Sequence, residues 1–232
     1  MAGRPIHTFE VLRTQRLTPH MIRVVFGGNG FDTFTPKEFT DSYVKFAIVP
    51  AGVQVTGLTQ PLTLDSFAEL PDEQRPTVRT YTVRSVDVEQ RELTVDFVVH
   101  GDTGVAGPWA ASLAPGDAAY VMGPNGAYAP SPEADWHLLA GDEAGLPALT
   151  VALEALPPNA IGQAFIEVDG PQDELDLTAP AGVKIQWIHR GGRADLVPDD
   201  QAGDKSKRNW QNRWFHNLSN EKDVGRSEER RV

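Results

Sequence analysis

Apolar and polar residues alternate along most of the first 130 positions, in short runs cut by turn formers. His7-Phe9-Val11, Met21-Arg23-Val24-Val25-Phe26 and Tyr43-Val44-Lys45-Phe46-Ala47-Ile48-Val49 each carry the period of a strand, and Gly27-Gly28-Asn29-Gly30 and Pro36 punctuate them. Val78 to Arg84, Leu93 to His100 and Ala118 to Met122 continue the series, with a short helix expected from about Gly104 to Leu113 and a turn at Pro115-Gly116-Asp117. The economical architecture for residues 1–130 is an antiparallel β-barrel, closing around Gly123 to Ala129. Pro50 to Pro76, rich in Pro, Thr and Asp, reads as a long loop.

After Pro130-Ser131-Pro132 the period changes. Trp136-His137-Leu138-Leu139-Ala140 has the continuous apolar character of a strand in a parallel sheet. Leu146 to Leu156 carries a helical period with Pro147 in its first turn, and Ala164 to Val168 and Val183 to Ile188 are two further strands. This succession predicts an α/β domain over residues 133–192. Arg193 to Val232 has no sustained apolar period and contains two solvated charge runs, so that domain is expected to be incomplete and the tail disordered.

Composition narrows the functional classes. With 232 residues, 40% hydrophobic and 23% charged, the chain is of soluble globular type. No run approaches the 18 or so apolar residues of a membrane span, and Met1-Ala2-Gly3-Arg4-Pro5 does not open a signal peptide, so a cytoplasmic location is expected. The absence of cysteine excludes disulfides, thiolate-held iron-sulfur clusters and cysteine nucleophiles, so redox chemistry would need an organic cofactor or other metal ligands. A net charge of -11 argues against nucleic acid as a partner. That charge is uneven. Residues 1–192 hold 12 Lys+Arg against 24 Asp+Glu, and residues 193–232 hold 9 against 8. The six histidines include no pair at metal-ligand spacing, so no metal site is expected, and neither a G-x-S-x-G elbow nor a Walker loop is present.

The candidate chemistry centres on Val78-Arg79-Thr80-Tyr81-Thr82-Val83-Arg84. On a strand Arg79 and Tyr81 share a face, with Thr80, Thr82 and Arg84 on the other. Arg79 offers a planar fork of donors for a phosphate, and Tyr81 a flat surface for a heteroaromatic ring, although an edge strand with ordinary exposed side chains would read the same way. Within twenty residues Val98-Val99-His100-Gly101-Asp102-Thr103-Gly104-Val105-Ala106-Gly107-Pro108-Trp109 runs from a strand through a glycine-rich turn into a helix. That turn is either a second anion clamp or a plain strand-to-helix loop.

R-x-Y-T-x-R followed by H-G-x-x-G resembles the flavin-binding barrel of the ferredoxin-reductase-like flavoproteins, and more narrowly the siderophore-interacting family of ferric-siderophore reductases. The resemblance implies FAD as cofactor, NAD(P)H as donor and a ferric siderophore as substrate, in a protein expected to be a monomer. It implies Arg79 on a flavin phosphate, Tyr81 against the ring, Thr82 near the reactive ring nitrogen, Val99, His100 and Gly101 along the ring edge, and Gly104, Ala106, Gly107, Pro108 and Trp109 around the pyrophosphate. Lys45, at the end of a D-x-x-V-K segment, would meet the anionic siderophore. Arg84 is a second candidate for that patch because its strand places it near the flavin residues. The loop Gly141-Asp142-Glu143-Ala144-Gly145-Leu146-Pro147-Ala148 resembles the family's G-D-E-T-A-L-P-A-like loop, which adds Asp142 and Glu143 to the cofactor-binding set; Ala144-Gly145 stands where the pattern has Thr-Ala. Acids at a helix start also stabilise its dipole without any ligand. The resemblance ends near His189. The alternative is a non-catalytic flavin- or siderophore-binding protein with a defective nucleotide domain.

Overall fold

The computed structural model describes residues 5–55, 57–101 and 104–191. Six strands, β1 (His7–Thr18), β2 (Met21–Gly27), β3 (Tyr43–Ile48), β4 (Thr77–Asp87), β5 (Glu92–Val98) and β6 (Ala118–Asn125), close an antiparallel barrel in the order β1-β2-β5-β4-β3-β6. The inward positions of the alternating runs fill it: Phe9, Phe26, Phe46, Phe97 and Leu93 are fully buried. The helix α1 (Ala106–Ser112) packs on the same core through Ala106 and Ala110.

Two elements differ from the sequence pattern. β1 runs seven residues past Val11, although Arg13 to Arg16 are exposed and show no alternation, because pairing with β2 rather than burial holds them. The segment from Pro50 to Pro76 is no loose loop. Leu62 and Phe67 are buried in a satellite core with Ile6, Ala47 and Met122, so scattered apolar residues without a period anchor it.

β4 and β5 stay together only part of the way. They pair from Val83/Val95 to Asp87/Glu92, with a register shift after Val83. Beyond that point Thr77 to Thr82 pair with β3, and Asp96 to Val98 pair with β2. The two strands part there and leave a seam in the barrel wall.

The second domain has a parallel three-stranded sheet, β7 (His137–Gly141), β8 (Ile161–Val168) and β9 (Gly182–His189), with α2 (Leu146–Glu154) crossing from β7 to β8. Leu153 of α2 is fully buried with Leu139, Ala164 and Val183. Leu146, Ile166 and Val168 pack on Met21 and, with Leu17 and Val98, seat this domain on the outside of the barrel. Two polar side-chain pairs flank that contact. Arg84 of β4 meets Glu154 of α2, and His20, in the β1–β2 turn, meets the buried carboxylate of Asp173. The expectations of an incomplete domain and a disordered tail fall on residues 193–232, outside the described residues.

His7 gives a test of barrel packing. Its ring is buried edge-on to Phe34, with Nδ1 2.7 Å from Thr33 Oγ1. Burial holds its pKa below the ordinary 6.5, against a smaller opposing effect of a Gly123 backbone hydrogen bond. The unfolded chain therefore takes up a proton near pH 6.5 that the folded site refuses, so stability is lost as pH falls through that value. The His7→Gln protein should show a shallower loss between pH 7.5 and 5.5 in urea-denaturation midpoints, and an unchanged slope would remove His7 from the acid response.

Candidate functional site

A cavity of about 530 Å³ lies at the seam, a size suited to a small-molecule ligand. One side is Arg79, Thr80, Tyr81 and Thr82 from β4, the other Asp96, Val98 and His100 from β5 and its end; Gly104 to Gly107, Asp41, Tyr43, Ala144 and Pro147 complete it. Residues of both parities on β4 reach the cavity because its Thr77–Thr82 half has no strand partner on the β5 side. A wall made of a strand edge presents both faces.

The ring of Tyr81 is half-buried, 4.4 Å from the Phe97 centroid and 6.2 Å from that of Phe46. Burial raises its pKa above 10.0, with Arg79 opposing, so the phenol stays protonated at neutral pH and keeps a donor. Arg79 is exposed and, among the described residues, donates to the carbonyl of Val78. Among the described residues no carboxylate pairs with it.

Both acids in the wall are already engaged. Asp41 Oδ1 accepts from the N–H groups of Ala127 and Tyr128, each at 2.9 Å. The carboxylate of Asp96 accepts from Arg23 Nε and Nη2 at 2.7 and 2.8 Å. Among the described residues the uncommitted charge of the cavity is therefore the Arg79 guanidinium. Gly104 lines it at φ +80°, a conformation L side chains rarely adopt, and a Cβ there would meet nothing within 4 Å. A free guanidinium, a phenol-bearing ring, a strand edge and open space beside a left-handed glycine fit a ligand with an anionic group and a planar ring. The residues present fit FAD.

Of the residues expected at the site, the fold brings together Arg79, Tyr81, Thr82, His100, Gly104, Ala106 and Gly107. Val99 is buried in the barrel core, and Gly101 and Pro108 lie outside the lining. Four of the expected residues are engaged within the protein itself. Trp109 turns inward, 5.5 Å from Phe46 and 5.6 Å from Phe97, because the helical turn points it into the aromatic core instead of towards a pyrophosphate. Arg84 is closed on Glu154 in a bidentate pair at 2.9 and 2.5 Å, so its fork is taken. Asp142 Oδ1 accepts from the N–H groups of Ala144 and Gly145 and closes its own turn, and buried Glu143 accepts from the Asp169 N–H at 2.8 Å. Their loop reaches the cavity through Ala144 and Pro147 instead.

Lys45 is exposed and stands directly across β3–β4 from Thr80, just outside the lining. Asp96 was missed. The available signal was a lone acid in the apolar run Leu93 to Val99 with an arginine in the strand it pairs with.

Residues 10–128 match the family model of the siderophore-interacting FAD-binding domain, and residues 134–224 match that of the siderophore-interacting protein. The chain belongs to the siderophore-interacting protein family. The second match runs past His189, where the sequence pattern alone ends the resemblance. An uncharacterized protein of Mycobacterium tuberculosis is 64% identical over 204 residues, 88% of this chain and 72% of that protein. Ferric vibriobactin reductase ViuB of Vibrio cholerae is 32% identical over 78% of this chain and 65% of its own length; the NADPH-dependent ferric-chelate reductase of Escherichia coli is 32% identical over 84% and 72%. The crystal structure of a siderophore utilization protein from T. fusca superposes with a TM-score of 0.69 at 35% identity, covering 86% of this chain and 74% of that one. The barrel followed by an α/β domain is thus the ferredoxin-reductase-like architecture expected from the motifs.

The structural assignment of Asp142 is directly testable. Asp142→Ala removes two hydrogen bonds to backbone N–H groups and should cost about 1–2 kcal/mol of stability while leaving FAD affinity unchanged. Denaturation and a flavin titration of the same variant separate the two, and a fall in affinity without loss of stability would return Asp142 to the cofactor site.

Proposed function

We propose that this protein is a flavin-dependent ferric-siderophore reductase that passes electrons from NAD(P)H through FAD to the bound ferric ion. The observation that carries this reading is the seam between β4 and β5, where Arg79 and Tyr81 meet inside the stretch matching a siderophore-interacting FAD-binding domain. Arg79 holds a phosphate with its free fork, Tyr81 lies against the ring, Thr82 and His100 offer polar groups to the ring edge, and the backbone of Gly104 to Gly107 runs along the diphosphate. Bound FAD would supply the chemistry the side chains lack, a two-electron hydride acceptor that can release its electrons one at a time, one to each of two ferric ions. Ferrous iron binds hard oxygen donors less tightly and leaves the siderophore. The protein's own contribution is to position these groups and to exclude water with the α2 wall.

The activities of the two reductase relatives support the substrate class, and that of the Escherichia coli protein supports NADPH as donor. Among the described residues no helix is long and apolar enough to cross a membrane, and we place the reaction in the cytoplasm, carried out by a monomer. Lys45 serves the substrate. Exposed beside the cavity on a chain of net charge -11, it gives an anionic ferric siderophore a local attraction that the whole molecule does not.

Anaerobic addition of NADPH and then NADH to the FAD-loaded protein should bleach the flavin, and addition of a ferric siderophore should restore its colour. A yellow protein that neither nucleotide bleaches would be a binding protein and would overturn the reductase reading. Arg79→Ala should weaken FAD by about ten- to a hundred-fold, the loss of a charge-assisted contact of about 1.5–3 kcal/mol. Flavin retained through gel filtration as well as in the parent would remove Arg79 from the phosphate. Lys45→Ala should raise KM for an anionic ferric siderophore with flavin content intact, by a margin that shrinks as salt is added. Equal turnover of anionic, neutral and cationic siderophores by that variant would place the substrate patch elsewhere.

A further inference from the structure

Asp96 has no part in the roles assigned so far, yet it is a carboxylate in the cavity wall. Its side chain is 2% exposed, against 29% for the Arg23 that binds it through two hydrogen bonds. Asp96 lines the cavity and Arg23 does not, so the pair is a dipole with its negative end towards the cavity. Glu154 acts electrostatically on Arg23 and is itself closed on Arg84. A buried pair costs desolvation and is weak evidence for a purely stabilising role. Charges fixed in a wall shielded from water act strongly on what lies in the cavity.

We propose that Asp96 is the potential-setting carboxylate of the flavin site, lowering the midpoint potential of FAD held between β4 and β5. This rests on the flavin reading above. A negative charge in the wall opposes electrons added to a ring in the cavity, so it favours their departure to an acceptor that is hard to reduce, such as a ferric ion held by oxygen donors. Arg23 keeps that carboxylate folded into the wall without cancelling it, since the guanidinium sits on the far side.

The test is the midpoint potential of the full-length FAD-loaded protein, measured by equilibration with reference dyes, in the parent, in Asp96→Asn and in the Arg23→Gln/Asp96→Asn double variant. Asp96→Asn should shift the potential to more positive values and tighten binding of reduced FAD relative to oxidised FAD. The double variant, which removes the whole dipole and leaves a neutral amide pair, should shift it in the same direction by less. It also supplies the answer if the unpaired Arg23 of the single variant prevents folding. Potentials equal to the parent's in the variants that fold, accompanied only by lower melting temperatures, would make Asp96 a structural tie between β2 and β5 and overturn the proposal; so would a shift to more negative values. A parent protein that takes up no FAD would instead overturn the flavin reading itself.

Discussion

The seam between β4 and β5 is the constraint on which the rest of the structure depends. A closed barrel satisfies its backbone by pairing every strand on both sides, and an unpaired edge away from water leaves N–H and C=O groups that need partners. Here the Thr77–Thr82 half of β4 gives up its neighbour on one side. The rest of the barrel holds the opening. Phe26, Phe46, Phe97 and Trp109 pack beneath the seam with Tyr81 laid on Phe97, so a gap in the hydrogen-bond ladder is not a gap in the core. The site is the place where backbone pairing is suspended and side-chain packing is not.

Charge follows the same division. An acidic chain would be expected to repel phosphates and anionic siderophores, yet among the described residues the cavity presents a free cation, because each wall acid there is tied to a donor of the protein itself: Asp41 to two backbone amides, Asp96 to Arg23. The same bookkeeping sets Arg84, closed on Glu154, apart from the exposed Lys45. Only the local pairing pattern distinguishes a guanidinium facing Glu154 from one facing open space.

This is also where sequence reasoning met its limit. Alternation in Met21 to Phe26 and Tyr43 to Ile48 placed the strands, and R-x-Y-T named Arg79 and Tyr81, because strand period and side-chain chemistry are local properties. Trp109 and Asp142 could not be assigned locally. Trp109 follows a glycine-rich turn suited to a phosphate but packs from α1 onto the aromatic core, and Asp142 lies in a loop resembling a nucleotide site but caps its own amides. Asp96 escaped for the opposite reason: its meaning lies in a cross-strand neighbour 73 residues away and in the parting of two strands that no single segment encodes.

The joint between the domains completes the argument. Ala144 and Pro147 belong to the second domain yet line the barrel's cavity, so that cavity exists only while α2 is held against the barrel. Leu146 on Met21 supplies the apolar part of that contact. Arg84–Glu154 and His20–Asp173 orient it from two sides, and a directional pair fixes an angle that apolar burial alone leaves free. His20 adds a second connection: its carbonyl accepts the Val99 N–H at 2.8 Å, and its ring lies 6.4 Å from that of His100 at the cavity edge. A tie that seats the second domain therefore also fixes one wall of the cavity. Cofactor site and domain packing are one structural problem in this protein, and a substitution at the joint should be judged first by what it does to the cavity.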